Sequence, residues 1–313
     1  MGTIQPSYKK VHTTQALKKR KRFLPSADTL SGWLFISPMF LGFTIFMFGP
    51  IVFSLYMSFT DWPLLGSAEF IGIDNYKAVV QDPEFETVLK NTFIFTGGLV
   101  PLNICLALGL ALLLKDKLPG IGFFRTAIFV PVVTSLVVWA IVWKYMFATD
   151  YGFINQILGL FGMEARAWLY DTDLAMPVVI FISVLKNVGL NMILFLAGLQ
   201  LVPKGLYEAA KIDGANRFRQ FFNVTLPIIT PTIFLTTIIT IIGAMKIFAQ
   251  IYVMTRGGPE NSTKVLVYYI WEKAFQSFEM GYASALAFIL FFIILIFTLI
   301  QWQLRKRWVY NED

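Results

Sequence analysis

Hydrophobic positions along this chain gather into six long runs, approximately residues 33–59, 93–114, 123–147, 176–199, 226–250 and 283–304, which carry almost no charge. About 30 Å of hydrocarbon takes about 20 helical residues to cross, so each run can span a bilayer with room for tilt. Prolines lie in or beside several runs, at Pro38, Pro50, Pro101, Pro131 and Pro231. In water they would argue against helix. In a membrane, neighbouring groups re-satisfy the carbonyls that a proline frees. The pattern predicts an all-α membrane protein with six transmembrane helices. Its parts are a basic tail at 1–28, a six-span domain at 29–305 and a short tail at 306–313.

Composition supports this reading. Apolar residues make up 57% of the 313 positions and charged residues 14%, against about 25% charged in a typical soluble domain. One cysteine, Cys105, and one histidine, His12, leave no internal disulfide and no Cys/His zinc site. No catalytic residue and no metal site are expected. The basic run at 18–22 precedes the first span as in a signal peptide. The apolar stretch is far longer than the usual 7–15-residue signal core and no cleavage pattern follows, so the segment is read as a retained anchor.

Charge then orients the chain. With six crossings, the two tails and the second and fourth loops share one side, which holds 17 of the 26 Lys and Arg residues. The opposite side holds 7, and Lys186 and Lys246 fall within spans. The positive-inside rule predicts that both termini are cytoplasmic. The basic excess is thus a topology signal rather than a nucleic-acid one. The outer loops, about 60–90, 148–175 and 251–282, are too short for a receptor domain. No G-x-x-x-x-G-K-[ST] loop is present to cradle a nucleotide.

The fourth loop, 202–224, stands out. Pro203 precedes a short helical stretch over 208–213, Gly214 ends it, and Asn216 is a plausible N-cap for a second short helix. Ala209 and Ala210 leave a bare surface for close approach, and Phe218, Phe221 and Phe222 supply apolar anchors. Such a projection suits a docking knob. On composition alone it equally suits an amphipathic segment lying on lipid headgroups.

The spacing of Glu208-Ala209-Ala210, Gly214, Val224 and Leu226-Pro227 resembles the EAA loop of binding-protein-dependent importer permeases, with Val224 where isoleucine is usual. The LAGLQ run at 196–200, the TRGGP run at 255–259 and the GYASA run at 281–285 are similar to the sugar-type members, in particular the maltose-type first permease. The likeness covers about residues 30–305. It implies one permease subunit of an ATP-driven importer for a sugar or sugar derivative, in a bacterial or archaeal plasma membrane, working by alternating access. It implies four kinds of partner: a homologous second permease, two ATPase subunits docked on 202–224, an extracytoplasmic solute-binding protein and the bilayer. ATP and Mg would belong to the ATPase subunits, with no cofactor on this chain. Glu208, Ala209, Ala210, Asp213 and Gly214 would couple to the ATPase.

For a solute path, Lys186, Asn187 and Asn191 can share one polar stripe of span four. Lys246 and Gln250, at i and i+4 in span five, can line an entrance, and Trp139 and Trp143 can offer rings for a sugar to stack on. The plainer reading is that these groups bond backbone or partner helices and that the tryptophans sit at the interface. Two other classes compete. A secondary transporter would show unwound midplane helices and buried carboxylates, but the span interiors hold no Asp or Glu. A membrane-embedded enzyme would need converging catalytic groups, and none are visible.

Overall fold

The computed structural model describes residues 27–63, 66–116 and 119–310. His12, the basic run at 18–22 and Lys117 lie outside the described residues. The chain divides into two units at Phe53/Ser54, taken in turn below.

In the first unit, α1 (Ala27–Phe43) leads through a π-helical turn (Thr44–Phe48) into α2 (Gly49–Met57). The turn has a local cause. Pro50 has no N–H, and its ring would crowd the carbonyl four residues back. The ladder widens just before it, and the Gly49 N–H donates to Thr44 O. Trp33, Phe35, Met39 and Phe46 are exposed, as suits a lipid-facing helix.

The second unit opens with the end of α2 and a two-residue antiparallel pairing, β1 (Thr60–Asp61) with β2 (Glu69–Phe70). There follow α3 (Asp74–Gln81), α4 (Pro83–Leu114), α5 (Ile121–Val133), α6 (Leu136–Met146), α7 (Phe153–Leu160) and α8 (Ala175–Gln200). The fourth loop contains α9 (Lys204–Ile212) and α10 (Arg217–Gln220). A second π-helical turn (Phe221–Thr225) leads into α11 (Leu226–Ile228), then α12 (Thr230–Met245), α13 (Ala249–Met254), α14 (Leu266–Phe275) and α15 (Met280–Trp308). This π turn also precedes a proline, Pro227, and the Leu226 N–H donates to Phe221 O.

Among the described residues, five helical segments are long and apolar enough to cross a membrane; α5 and α6 together make a sixth if they count as one bent span. The all-α class and the six runs therefore stand, with corrections to their ends and continuity. The second span begins at Pro83 rather than near 93. Asp82 caps it, Pro83 takes its first turn, and Glu84 and Glu86 complement the dipole there. The third span is not continuous: α5 and α6 meet at 102°. Pro131 removes one N–H from the ladder, and Thr134 and Ser135 are extended, with ψ of 142° and 137°. The fifth span breaks between Met245 and Ala249.

α4 and α8 form the central pair, with α5 against α8 and α12 against α4. Small residues bring the backbones together. Ala107 and Ala111, one turn apart on α4, are fully buried. A Cβ on Gly189 of α8 would collide with the Ile128 carbonyl of α5. One buried cluster, including Phe95, Leu99, Val179 and Ile251, fills one half of this packing; another, including Met192, Phe195 and Ile229, fills the half nearer the fourth loop.

At the end opposite the fourth loop, polar side chains tie the connections down. Asp82 accepts hydrogen bonds from the Tyr269 and Tyr282 hydroxyls and from the Glu84 N–H. Lys264 bridges Glu84 and Glu272, each at 2.7 Å. Burial acts to raise the Asp82 pKa, but those hydrogen bonds and nearby Lys273 outweigh it and hold the carboxyl below its ordinary value. Burial, with the Asp82 contact, pushes Tyr269 up. A carboxyl depressed on folding stabilises above its unfolded pKa, about 3.9, and that stabilisation is lost as pH falls through the folded value. A tyrosine raised on folding loses its contribution as pH climbs past about 10. Thermal unfolding of the purified protein should thus show Asp82-dependent loss only at the acid edge. Asp82→Ala should cost about 2–4 kcal/mol at neutral pH, from the lost cap and two stranded hydroxyls. An unchanged Tm would contradict this.

Candidate functional site

Two places in the second unit carry functional features, a surface helix in the fourth loop and a cavity among the central helices.

The surface helix, α9, begins four residues before the expected stretch, with Pro203 at its N-cap, and ends at Ile212. Its end is closed by a Schellman pattern: the Gly214 N–H donates to Lys211 O (3.0 Å) and the Ala215 N–H to Ala210 O (2.9 Å). Gly214 takes φ +75° to allow this, a conformation open to glycine without a side-chain penalty. Asn216 caps α10, its side chain accepting from the Arg219 N–H at 2.9 Å.

One side of α9 is anchored. The Tyr207 hydroxyl meets Thr225 Oγ1 at 2.9 Å and its ring lies under Lys115. Tyr207, Val202 and Val224 pack onto the cluster formed by Met192, Phe195 and Ile229. The other side is open. Glu208, Ala209, Asp213 and Gly214 are exposed, Ala210 is half-buried, and Ile212 is 87% exposed. Glu208 makes no hydrogen bond or ion pair among the described residues. Phe218 and Phe222 are exposed beside it, with ring centroids 4.6 Å apart. The geometry is that of a rigid helix held from behind, with a small, partly apolar front face.

The cavity, of about 430 Å³, lies among α4, α8 and the break between α12 and α13, within the 300–1,000 Å³ range of ligand sites. Asn187, Asn191, Lys246 and Gln250 all border it. Lys186 does not. Its side chain is 5% exposed, and its ammonium donates to the carbonyls of Pro131, Val132 (3.1 Å) and Thr134 (2.6 Å). The Val132 and Thr134 carbonyls have no backbone donor among the described residues where α5 stops, and Pro131 O also accepts from the Thr134 N–H at 3.2 Å; a cation is the complement to a helix C-terminus. Arg125 plays a similar part for α4, donating to Leu114 O. Lys186 thus lies at the break in the third span and not on the wall of this cavity.

Asn191 is on the wall, but its amide hydrogens are committed to Asn103 Oδ1 and Thr240 Oγ1, joining α8 to α4 and α12. Asn187 donates back to Ser183 O at 2.8 Å, and its own oxygen has no hydrogen-bond partner among the described residues. Lys246 and Gln250 make no side-chain hydrogen bond among the described residues. Trp139 and Trp143 lie off the wall, among Phe147, Phe181 and Ile182, and the Trp139 indole donates to Ile182 O. Two rings border the cavity, Phe95 of α4 and Phe248, the latter stacked on Tyr252 at 5.4 Å and backed by Tyr268 and Trp271. Sequence reasoning missed Phe248 because it treated span five as continuous. The available signal was the run of aromatics at i, i+4 in Phe248 and Tyr252.

No cluster of His, Cys, Asp or Glu suited to a metal occurs among the described residues. Unwound spans, a mark of secondary transporters, are present twice here, so unwinding does not separate the two classes.

Residues 98–310 match the family described as binding-protein-dependent transport system inner membrane component. The probable ABC transporter permease protein YesP of Bacillus subtilis is 36% identical over 95% of this chain and 97% of its own length. The lactose transport system permease protein LacF of Rhizobium radiobacter is 36% identical over 89% of this chain and 95% of its own. Among solved structures, a bacterial ABC transporter involved in import of the acidic polysaccharide alginate shares the fold. That likeness has a TM-score of 0.80, at 23% identity over 90% of this chain and 97% of the other.

Proposed function

Because the chain belongs to the family of binding-protein-dependent transport system inner membrane components, we propose that it is the permease subunit through which a sugar or sugar derivative crosses the membrane, energised through α9 by ATPases on separate chains. Glu208, Ala209, Ala210, Asp213 and Gly214 form the ATPase contact. The solute passes the cavity bordered by Asn187, Lys246 and Gln250. Both termini and the fourth loop face the cytoplasm, and a second permease, two ATPase subunits and an extracytoplasmic solute-binding protein complete the machine. ATP and Mg act on the ATPase subunits.

The observation that carries this reading is the front face of α9. It is an exposed, capped helix whose carboxylate and apolar end have no partner among the described residues. A free-standing amphipathic helix would need no half-buried tyrosine anchor such as Tyr207; a force-bearing one does. Moving a two-state transporter from 1:99 to 99:1 takes about 5.5 kcal/mol, which a loosely held loop cannot transmit. The sugar class draws support from the names of relatives such as LacF. Purification tests the assignment. The chain should co-elute with an ATPase and a homologous permease and be inactive alone; solute uptake by the isolated chain in liposomes would overturn it.

A further inference from the structure

Several cations around the central helices of the second unit are committed. Lys186 closes the end of α5, Arg125 that of α4, Lys144 donates to Val253 O at 3.0 Å, and Lys264 is held by two carboxylates. Lys246 differs: it has no hydrogen bond, ion pair or ring contact among the described residues. It stands at the break after α12, exposed on the cavity wall. No Asp or Glu among the described residues borders the cavity.

A lysine at this depth is costly unless it meets water or a counter-charge. Its neighbours have the character of a recognition site rather than of a helix cap. Gln250 brings an uncommitted amide, Asn187 a carbonyl oxygen with no hydrogen-bond partner among the described residues, and Phe248 a ring supported by Tyr252 and Trp271. An amide, a carbonyl and a ring suit the hydroxyls and apolar face of a sugar. The ammonium is in excess of what a neutral sugar needs.

We infer that the transported sugar carries an anionic group, which Lys246 takes as it passes, with Gln250 beside it and Phe248 against the ring. This rests on the importer reading above and adds a substrate class to it. No bond is made or broken; the pairing is a charge-assisted hydrogen bond, stronger than a neutral one.

The test uses the complete transporter in liposomes with its solute-binding protein, supplied at saturation so that recognition by that protein is common to all variants. The probes are matched pairs: galacturonate oligomers with the carboxyl-reduced galactose oligomers, and sulfoquinovosyl glycerol with glucosyl glycerol. Wild type should carry the anionic member of at least one pair. Lys246→Gln should lower that uptake by about tenfold or more relative to the neutral member, the scale of one charge-assisted bond. Lys246→Arg should keep the anionic preference. Uptake of neutral members alone, with Lys246→Gln equal to wild type, would overturn the inference and leave the importer intact. So would a Lys246→Gln defect confined to co-elution with the second permease, which would assign the lysine to a subunit contact. Loss of uptake of every probe by an intact wild-type complex would count against the sugar-importer reading as well.

Discussion

Gly214→Pro should reach the membrane in normal amount and carry no solute. The residue sits at φ +75°, donates its N–H to Lys211 O and turns the chain so that Ala215 can reach Ala210 O. Proline holds φ near −65° and has no N–H, so all three features fail together, at a cost of about 3 kcal/mol or more. That loss falls on the end of α9 and not on the core, since Gly214 is exposed and a Cβ there would touch nothing within 4 Å. Gly214→Ala isolates the conformational part. It keeps the N–H, meets no clash and bears about 1–2 kcal/mol of left-handed strain, so uptake should be reduced rather than abolished. Glu208→Lys should also abolish uptake by reversing an unpaired charge on the front face. Uptake in liposomes, scaled to the amount in the membrane, reads all three. Normal uptake by Gly214→Pro would refute the coupling role.

Lys186→Met should instead damage the protein itself. Two carbonyls at the end of α5, Val132 and Thr134, would be stranded, while Pro131 O would keep only the Thr134 N–H, in a setting where water is scarce and each stranded group costs about 1–3 kcal/mol. A loss of about 3 kcal/mol or more is expected, seen as a lower Tm in detergent and a lower yield of assembled complex. Lys186→Arg should recover part of it. For whatever folds, the half-saturating solute concentration should be unchanged, because Lys186 does not border the cavity. An unchanged Tm with weakened solute affinity would restore the residue to the solute path.

The difference between these two lysines, 186 and 246, shows what the sequence could convey. The spans were legible because a bilayer calls for apolar runs of about twenty residues and a soluble core does not, and the lysine and arginine bias supplied a direction. The fourth loop was legible because its signals are local: Gly214 for a left-handed turn, Asn216 for a cap three residues from its partner. Lys186 and Lys246 looked alike, each a lone cation in an apolar run. What separates them is the neighbour each one meets, and periodicity assigns a residue to a face without saying what lies across from it. The break at Thr134 was hidden for a related reason. Pro131 permits a kink but does not require one, and the bend holds because a side chain from α8 satisfies the carbonyls it frees. The early start of α4 was readable in Asp82-Pro83-Glu84, a capping signal masked by the charge-based limit placed on the span.

The aromatic group around Phe248 had only part of such a signature, in Phe248 and Tyr252 at i, i+4. Tyr268 and Trp271 come from α14, an amphipathic helix of ten residues and so too short to register as a span, and reach Phe248 only through packing. Its neighbour Gln250 and Lys246, four residues apart, both reach the cavity wall even across the break at Ile247.

If α9 carries energy from an ATPase, its front face meets a protein rather than lipid. Ile212, 87% exposed at the end of that face, is the place to ask. A photo-reactive benzoylphenylalanine at position 212, irradiated in native membranes, should yield one discrete adduct with the ATPase subunit, lost in the Gly214→Pro background. Adducts with phospholipid alone, in an otherwise transport-competent protein, would mean that the helix lies on the membrane surface and that energy enters elsewhere.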